Sequence, residues 1–195
     1  MRVIAGSARS LPLKTVRGSN TRPTTDRIKE TLFNIIAPEI PGCRFLDLFS
    51  GSGGIGIEAL SRGAEQAVFV EQDRAALQVI RQNLQFTKLS DRAVVTGMEA
   101  VRAVTSMNGQ KPFDIIFMDP PYGQGHERRI LEALRDNTIA DGDTLILIEA
   151  LADTDFSYLE ELGFMMKRDK RYGTNRHVFV RRSTFGQNSS ISGKL

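Results

Sequence analysis

Short apolar runs alternate with amphipathic stretches over most of the chain. Five apolar runs of strand length occur at 44–49, 67–71, 93–96, 113–119 and 143–149. Stretches with helical spacing of apolar residues follow them, at 54–62, 73–86, 98–106, 127–135 and 155–162. Buried strands that alternate with helices in this way favour a parallel sheet covered on both faces. The pattern therefore predicts an α/β fold with a mostly parallel, doubly wound sheet.

The C-terminal part has a different pattern. Two runs with apolar residues flank the turn signal "YGTN" at 172–175, which predicts an antiparallel hairpin. The Ser/Gly-rich stretch 183–195 is expected to be a flexible tail. With no internal repeat in view, residues 1–182 are predicted to form a single domain.

The N-terminal extension, residues 1–40, precedes a core predicted over 44–182. Its first half has the Gly and Pro punctuation of a small hairpin. Its second half predicts a helix with a single apolar face, which Thr24 or Thr25 is placed to cap. The residues of that face are Ile28, Leu32, Ile35 and Ile36.

Composition narrows the class of protein. The chain has 195 residues, of which 41% are hydrophobic and 25% charged, as in an ordinary globular domain. No apolar run approaches the roughly 18 residues that a membrane span needs. The single cysteine, Cys43, cannot form an internal disulfide, and His126 and His177 stand far apart. We therefore expect a cytoplasmic protein that binds no metal and does not contact a membrane.

The net charge of +3 hides an asymmetry along the chain. Residues 1–30 carry seven Lys or Arg and two acids, and residues 164–195 carry eight and one, whereas the middle of the chain is acidic. Basic ends suggest a bound polyanion such as nucleic acid. The alternative, a solvated basic surface, is equally compatible with charge alone.

A glycine pattern after the first predicted strand indicates a nucleotide cofactor. Gly51, Gly53 and Gly56 form G-x-G-x-x-G at the start of a helix, and Glu71 follows 20 residues after Gly51. Glycines allow close approach of a cofactor to the backbone, and an acid at the second strand end can bind ribose hydroxyls. Asp47, just before the loop, would repel a pyrophosphate. It suits a cationic cofactor, such as S-adenosylmethionine (SAM) with its ammonium and sulfonium groups.

The stretch "FMDPPY" ends the fourth strand with an acid, two prolines and an aromatic ring. The simplest interpretation is a strand end followed by a tight turn. A second interpretation is a clamp for a planar exocyclic amine. Asp119 and the Pro120 carbonyl would accept its two N–H groups, and Tyr122 would offer a flat face for the base.

These segments together resemble a known family. "DLFSGSGGIGIEAL", "VFVEQD" and "DPPY" are similar to motifs of class I SAM-dependent methyltransferases, which have a Rossmann-like fold. With "VIAGSARSLPLKT", "TRPTTDRIKETLFNII", "EALSRGA" and "YGTN", residues 1–182 resemble the RsmD family. That resemblance implies a SAM-dependent RNA methyltransferase acting on the exocyclic N2 of a guanine in 16S ribosomal RNA. Its partner would be the small ribosomal subunit or an assembly intermediate, and we expect a monomer.

The resemblance also implies roles for individual residues. Asp119, Pro120, Pro121 and Tyr122 would be catalytic. The cofactor would be bound by Asp47, Phe49, Gly51, Ser52, Gly53, Glu71, Gln72, Met98 and Asp119. Candidate RNA contacts are Arg9, Arg22, Thr24, Thr25, Arg27, Arg171 and Arg176. Met98 stands where the family usually has an acid that contacts adenine, and whether Met98 or Glu99 serves that purpose stays open.

Three alternatives remain at this point. An amino-methyltransferase acting on adenine or cytosine in DNA, or on another RNA, would use the same clamp. An NAD-dependent oxidoreductase would leave Asp-Pro-Pro-Tyr without a use. A non-enzymatic RNA-binding protein could retain the fold, although intact Asp47, Glu71 and Asp119 argue against it.

Overall fold

The described residues form one seven-stranded sheet flanked by five α-helices. The structure, a computed structural model, describes residues 1–16 and 26–183. The strands are β1 (Arg44–Asp47), β2 (Gln66–Val70), β3 (Ala93–Thr96), β4 (Ile115–Met118), β5 (Leu145–Leu151), β6 (Phe164–Tyr172) and β7 (Asn175–Arg182). The helices are α1 (Asp26–Ile35), α2 (Gly54–Ser61), α3 (Arg74–Thr87), α4 (Ala100–Ser106) and α5 (His126–Arg135).

The strand order is β3-β2-β1-β4-β5-β7-β6. Strands β1 to β5 run parallel, whereas β7 pairs antiparallel with both β5 and β6. The predicted doubly wound sheet and C-terminal hairpin are therefore confirmed. Since β1 lies between β2 and β4, the strand order reverses there, and the carboxyl ends of β1 and β4 border a crevice.

Each face of the sheet supports its own apolar layer. Along β4, Ile116 and Met118 face the layer that contains α4 and α5. Ile115 and Phe117 face the opposite layer, which contains α1, α2 and α3. This period-two alternation places apolar side chains on both faces, which explains why β4 is a continuous apolar run.

One predicted helix is wrong. Residues 155–162 form only a single 3-10 turn at Ser157–Leu159, not an α-helix. The buried residues of this segment, Phe156, Leu159 and Leu162, are spaced every three residues. That spacing matches the three residues per turn of a 3-10 helix, so a short tight turn buries all three side chains.

The N-terminal segment pairs with itself only briefly. Within residues 1–16 one antiparallel bridge joins Arg2 to Pro12, which is a reduced form of the predicted hairpin. The predicted helix is present as α1, and its apolar face is completed by a buried lysine, Lys29. The proposed caps Thr24 and Thr25 lie outside the described residues.

A buried glutamate on α2 holds this segment against the core. The Glu58 carboxylate is fully buried and accepts hydrogen bonds from the backbone N–H of Ile4 (2.8 Å) and Ala5 (3.0 Å). Lys29 Nζ at 3.2 Å and Arg62 Nε at 2.7 Å neutralise its charge. The buried acid thus has charged partners and hydrogen bonds, as a charge out of water requires.

Candidate active site

The glycine loop between β1 and α2 is folded as a cofactor loop requires. Gly51 and Gly53 have positive φ angles of +52° and +82°, a region that L side chains rarely adopt. Gly56 lies in α2, where an added Cβ would stand 2.4 Å from the Phe69 ring. The first two glycines therefore shape the turn, and the third lets α2 pack on the sheet. Ser52 lies in the same turn.

Asp47 lies beneath this loop and is 1% exposed. Its Oδ2 accepts one hydrogen bond from the Gly56 backbone N–H, at 3.3 Å. Its Oδ1 is buried and has no hydrogen-bond partner in residues 1–16 and 26–183. Burial raises the pKa of Asp47 to about 7, and the nearby Glu71 adds to the rise. A buried acceptor without a partner is the feature expected where a ligand donor or cation completes the site.

Glu71 follows β2 and organises the backbone around the loop. Its Oε2 accepts from the Gly51 N–H at 2.9 Å, and its Oε1 accepts from the N–H groups of Gln72 and Asp73 at 2.8 and 2.9 Å. Asp73 in turn caps α3 by accepting from the Ala76 N–H. Glu71 therefore contacts the glycine loop directly, and its role at ribose hydroxyls stays a prediction.

The residues after β3 take separate positions. Glu99 caps α4 by accepting from the Arg102 N–H at 3.0 Å. Met98 is half-buried and packs against the apolar layer of α4 and α5. Phe49 is also half-buried and contacts the His126 ring edge to face at 5.9 Å. Glu99 thus has a structural role as a cap, and which of the two residues contacts adenine stays a prediction.

The Asp-Pro-Pro-Tyr turn leaves β4 directly beside the glycine loop. The Leu48 N–H donates to the Phe117 carbonyl at 3.0 Å, which ties the two strand ends together. Burial raises the pKa of Asp119 well above its usual range, and the carboxylates of Glu149 and Asp47 raise it further. Pro120 is buried, whereas Pro121 and Tyr122 are exposed. The turn therefore presents an acid and an aromatic ring at the crevice.

A polar network that sequence reasoning missed holds Tyr122. The Tyr122 hydroxyl accepts from Asn175 Nδ2 at 2.7 Å and donates to Glu149 Oε1 at 3.4 Å. Glu149 Oε2 lies 3.1 Å from His177 Nε2. The available signal was an acid that follows the apolar run of β5, as Asp119 follows that of β4.

The candidate RNA-contact residues divide into three groups. Arg9, Arg27 and Arg171 are exposed. Arg176 is buried, lies 3.1 Å from Asp169, donates to the Thr154 carbonyl and stacks over Phe156. Its buried guanidinium thus has structural partners, which argues against a contact with RNA. Arg22, Thr24 and Thr25 lie outside the described residues.

Residues 1–16 and 26–183 give no indication of a metal site, a membrane-spanning helix or a reactive cysteine. Those residues hold no group of three or more His, Cys, Asp or Glu that could bind a metal. None of their helices is long and apolar enough to cross a membrane. Cys43 is buried, and burial raises the pKa of its thiol to about 12, so the thiol is unreactive at neutral pH.

Comparison with known proteins decides the family. The family model described as "Conserved hypothetical protein 95" matches residues 1–181. The chain belongs to this family. Among its relatives, the "Putative rRNA methyltransferase YlbH" of Bacillus subtilis is 41% identical over 175 residues, which is 89% of this chain and 94% of that protein. The "Ribosomal RNA small subunit methyltransferase D" of Escherichia coli K12 is 39% identical over 152 residues, covering 77% and 74%.

Solved structures in the same family share the fold. The "putative methyltransferase yhhF" of Escherichia coli superposes with a TM-score of 0.80 at 33% identity, covering 94% of this chain and 98% of that one. A putative methylase from Haemophilus influenzae gives 0.78 at 30% identity, covering 93% and 98%. The resemblance to the RsmD family is confirmed, and the chain is a methyltransferase with the class I fold. Relatives of this kind imply a SAM-type methyl donor.

Proposed function

We propose that this enzyme transfers a methyl group from SAM to the exocyclic N2 of a guanine in 16S ribosomal RNA. One observation carries the proposal. The glycine loop lies over a buried carboxylate oxygen, Asp47 Oδ1, that has no hydrogen-bond partner in the described part of the chain, and the Asp119-Pro-Pro-Tyr122 turn meets this loop at the same crevice of the sheet. The names of the relatives, which specify ribosomal RNA, support the choice of substrate.

The residues around the loop fit SAM. We expect Asp47 Oδ1, which has no hydrogen-bond partner among residues 1–16 and 26–183, to accept from the ammonium group of SAM. We expect Glu71, which accepts from the Gly51 N–H, to bind ribose hydroxyls as well. Gly51 and Gly53 let the ligand approach the backbone, while Phe49, Ser52, Gln72 and Met98 complete the proposed pocket. When bound, SAM supplies an electrophilic methyl carbon on a positively charged sulfur. Since the carboxylates of Asp47 and Glu71 lie near one another at the loop, a cationic ligand is favoured electrostatically.

The target amine would be held by Asp119 and the Pro120 carbonyl. Both oxygens would accept hydrogen bonds from the amine N–H groups and so favour a pyramidal nitrogen, whose lone pair attacks the methyl carbon. As the N–C bond forms, the bond between the methyl carbon and sulfur would break and its electron pair would go to the sulfur, which leaves as a neutral thioether. The nitrogen would then carry one proton too many. The Asp119 carboxylate, whose pKa is raised by burial, is the placed acceptor for that proton. Pro121 stiffens the turn, and Tyr122 packs against the base.

The RNA would lie on the exposed basic residues at the two ends of the chain. On the β6–β7 hairpin, where the edge strand β6 is exposed on both faces from residue 166, these are Lys167, Arg168, Lys170 and Arg171. On the N-terminal segment and α1 they are Arg2, Arg9, Lys14 and Arg27. Phosphate contacts there would offset the few kcal/mol needed to flip the guanine out of its stack.

The test is tritiated methyl transfer from SAM to purified small ribosomal subunits, their free RNA and duplex DNA, followed by nucleoside digestion. The proposal expects N2-methylguanosine from ribosomal RNA. Label in DNA adenine would support the role of the turn as an amine clamp but contradict ribosomal RNA as the substrate. No label in any RNA, with SAM still bound, would contradict the proposed reaction.

A variant series assigns the clamp. Asp119→Ala should abolish transfer and change SAM affinity little, because Asp119 is proposed to act mainly on the amine. Asp91→Ala is the matched control, since Asp91 is an exposed aspartate in the turn that precedes β3. Loss of SAM binding in Asp119→Ala, measured by calorimetry, would contradict the assigned role.

A further inference from the structure

We propose that Asn175 is a positioning residue for methyl transfer, through which the β6–β7 hairpin sets the orientation of the Tyr122 ring. The inference rests on the proposed function, since it concerns the base-stacking ring of that same site. It goes beyond it by assigning a role to the hairpin turn, which is 53 residues away along the chain from Tyr122.

The Tyr122 hydroxyl is fixed from two sides. Asn175 Nδ2 donates to it at 2.7 Å, and it donates to Glu149 Oε1 at 3.4 Å. Asn175 Nδ2 also reaches Glu149 Oε1 at 3.4 Å, so the three polar groups close a triangle. Tyr122 itself is 37% exposed. Its hydroxyl is therefore anchored while a large part of the side chain stays open to a ligand.

The register of the sheet explains how these groups meet. Across the antiparallel β5–β7 pair, Glu149 stands opposite His177, and Leu151 stands opposite Asn175. Asn175 and His177 are two residues apart in one strand, so their side chains share a face of the sheet. His177 Nε2 lies 3.1 Å from the other Glu149 oxygen. Glu149 is thus held by β7 at one oxygen and joins Asn175 and Tyr122 at the other.

Asn175 itself is held by the hairpin turn. Gly173 has a positive φ of +59°, and the Thr174 hydroxyl donates to Asn175 Oδ1 at 3.1 Å. This bond orients the amide so that its N–H groups point away from Thr174 and toward Tyr122. Because the oxygen and the nitrogen of the Asn175 amide both form hydrogen bonds, the side chain is held in one orientation.

The same hairpin carries exposed positive charge. Arg171 stands opposite Arg176 in the register and Tyr172 opposite Asn175, so the exposed Lys170 and Arg171 lie within a few residues of the turn. An RNA phosphate bound to Lys170 or Arg171 would engage the element that holds the Tyr122 hydroxyl. Substrate contact at the hairpin and orientation of the ring are thereby linked through one short antiparallel unit.

A double-mutant cycle with Tyr122→Phe tests the contact. Single-turnover methyl transfer to RNA is measured for the wild type, Asn175→Ala, Tyr122→Phe and the double variant. Removal of either partner should slow transfer by about three- to tenfold, the equivalent of one hydrogen bond, with SAM affinity unchanged. The double variant should be no slower than the slower single variant, because both changes remove the same interaction.

Two further variants separate positioning from general structural damage. Asn175→Asp keeps the side-chain shape, replaces the donor by an acceptor and adds charge beside Glu149, so it should be at least as slow as Asn175→Ala. Asn108→Ala is the matched control. Asn108 is an exposed turn asparagine that accepts from the Thr138 N–H at 3.1 Å, and its loss should leave the rate unchanged. Thermal unfolding of all variants checks that the fold is retained.

The outcomes are distinct. Multiplicative losses in the double variant, or an Asn175→Ala rate equal to wild type, would overturn the positioning role while leaving the proposed function intact. A wild-type enzyme that transfers no methyl group to any RNA would instead overturn the proposed function and this inference with it.

Discussion

Replacing Asp47 by Asn should stabilise the unliganded protein relative to the wild type as the pH rises. Asp47 is almost completely buried, and only one of its oxygens has a hydrogen-bond partner in the described part of the chain. Burial raises the pKa of Asp47 to about 7, against about 3.9 in an unfolded chain. At pH values between these two pKa values, the folded protein binds the Asp47 proton more tightly than the unfolded chain does. The stability due to the protonated carboxyl is therefore complete below about pH 4 and is lost as the pH rises through 7.

The magnitude follows from the two pKa values. Their difference corresponds to about 4 kcal/mol in the free energy of unfolding, of which about 3 kcal/mol is lost between pH 5 and pH 8. An asparagine does not ionise, so the variant lacks this loss. Its unpaired amide costs about 1–3 kcal/mol, but that cost is the same at both pH values. The stability of Asp47→Asn minus that of the wild type should thus rise by about 3 kcal/mol between pH 5 and pH 8.

Urea unfolding of the SAM-free proteins at pH 5 and pH 8, followed by circular dichroism, measures this difference. Asp143→Asn is the control, because Asp143 is exposed and its substitution should give no such pH dependence. In calorimetry, Asp47→Asn should bind SAM more weakly, since the ammonium loses a charged acceptor. A stability difference that is the same at both pH values would refute the assignment of Asp47 as a buried, ionisable acid.

Two further predictions concern the glycine loop and the N-terminal segment. Glu71→Ala should weaken SAM binding by tenfold or more, because three backbone N–H groups lose their acceptor. Glu65→Ala, at an exposed position before β2, is the control in the same calorimetric assay. An unchanged SAM affinity of Glu71→Ala would remove Glu71 from the site. Gly6→Ala should lower the free energy of unfolding by about 2–4 kcal/mol, since φ is +85° and the added Cβ would lie 1.8 Å from the Ser61 carbonyl oxygen. Gly142→Ala, where nothing lies within 4 Å, should be close to neutral in the same denaturation assay.

The sequence predicts those parts of the site that are contiguous in the chain. A strand that ends in Asp119-Pro-Pro-Tyr122 and a glycine pattern that follows Asp47 each carry a local physical signature. Their meeting also follows from the sequence, because parallel strands place their carboxyl ends at one edge of the sheet. The prediction of a helix over 155–162 was wrong because the buried apolar residues of that segment recur every three positions, a spacing that a 3-10 turn satisfies better than an α-helix.

The burial of two basic side chains was not predicted, although the spacing of the neighbouring apolar residues indicates it. Arg176 precedes Val178 and Val180 at two-residue spacing in β7, so alternation places it on the face that those two buried valines share. Lys29 precedes Leu32 and Phe33 by three and four residues in α1, which places it on the apolar face of that helix. What a single sequence does not give is the acid that neutralises each one. Lys29 pairs with Glu58 at 3.2 Å, a contact that depends on how α1 packs against α2.

The Tyr122 network shows why the remaining part of the site cannot be derived from sequence. Asn175 reaches Tyr122 only because β7 pairs with β5 in a register that sets Glu149 opposite His177. A shift of one residue would turn Asn175 and His177 to the other face of the sheet and separate both from the Glu149 carboxylate. The cost of burying an acid that has lost two polar contacts is itself a reason for the register observed. The polar groups around Tyr122 therefore help to select the strand pairing that creates their own contacts.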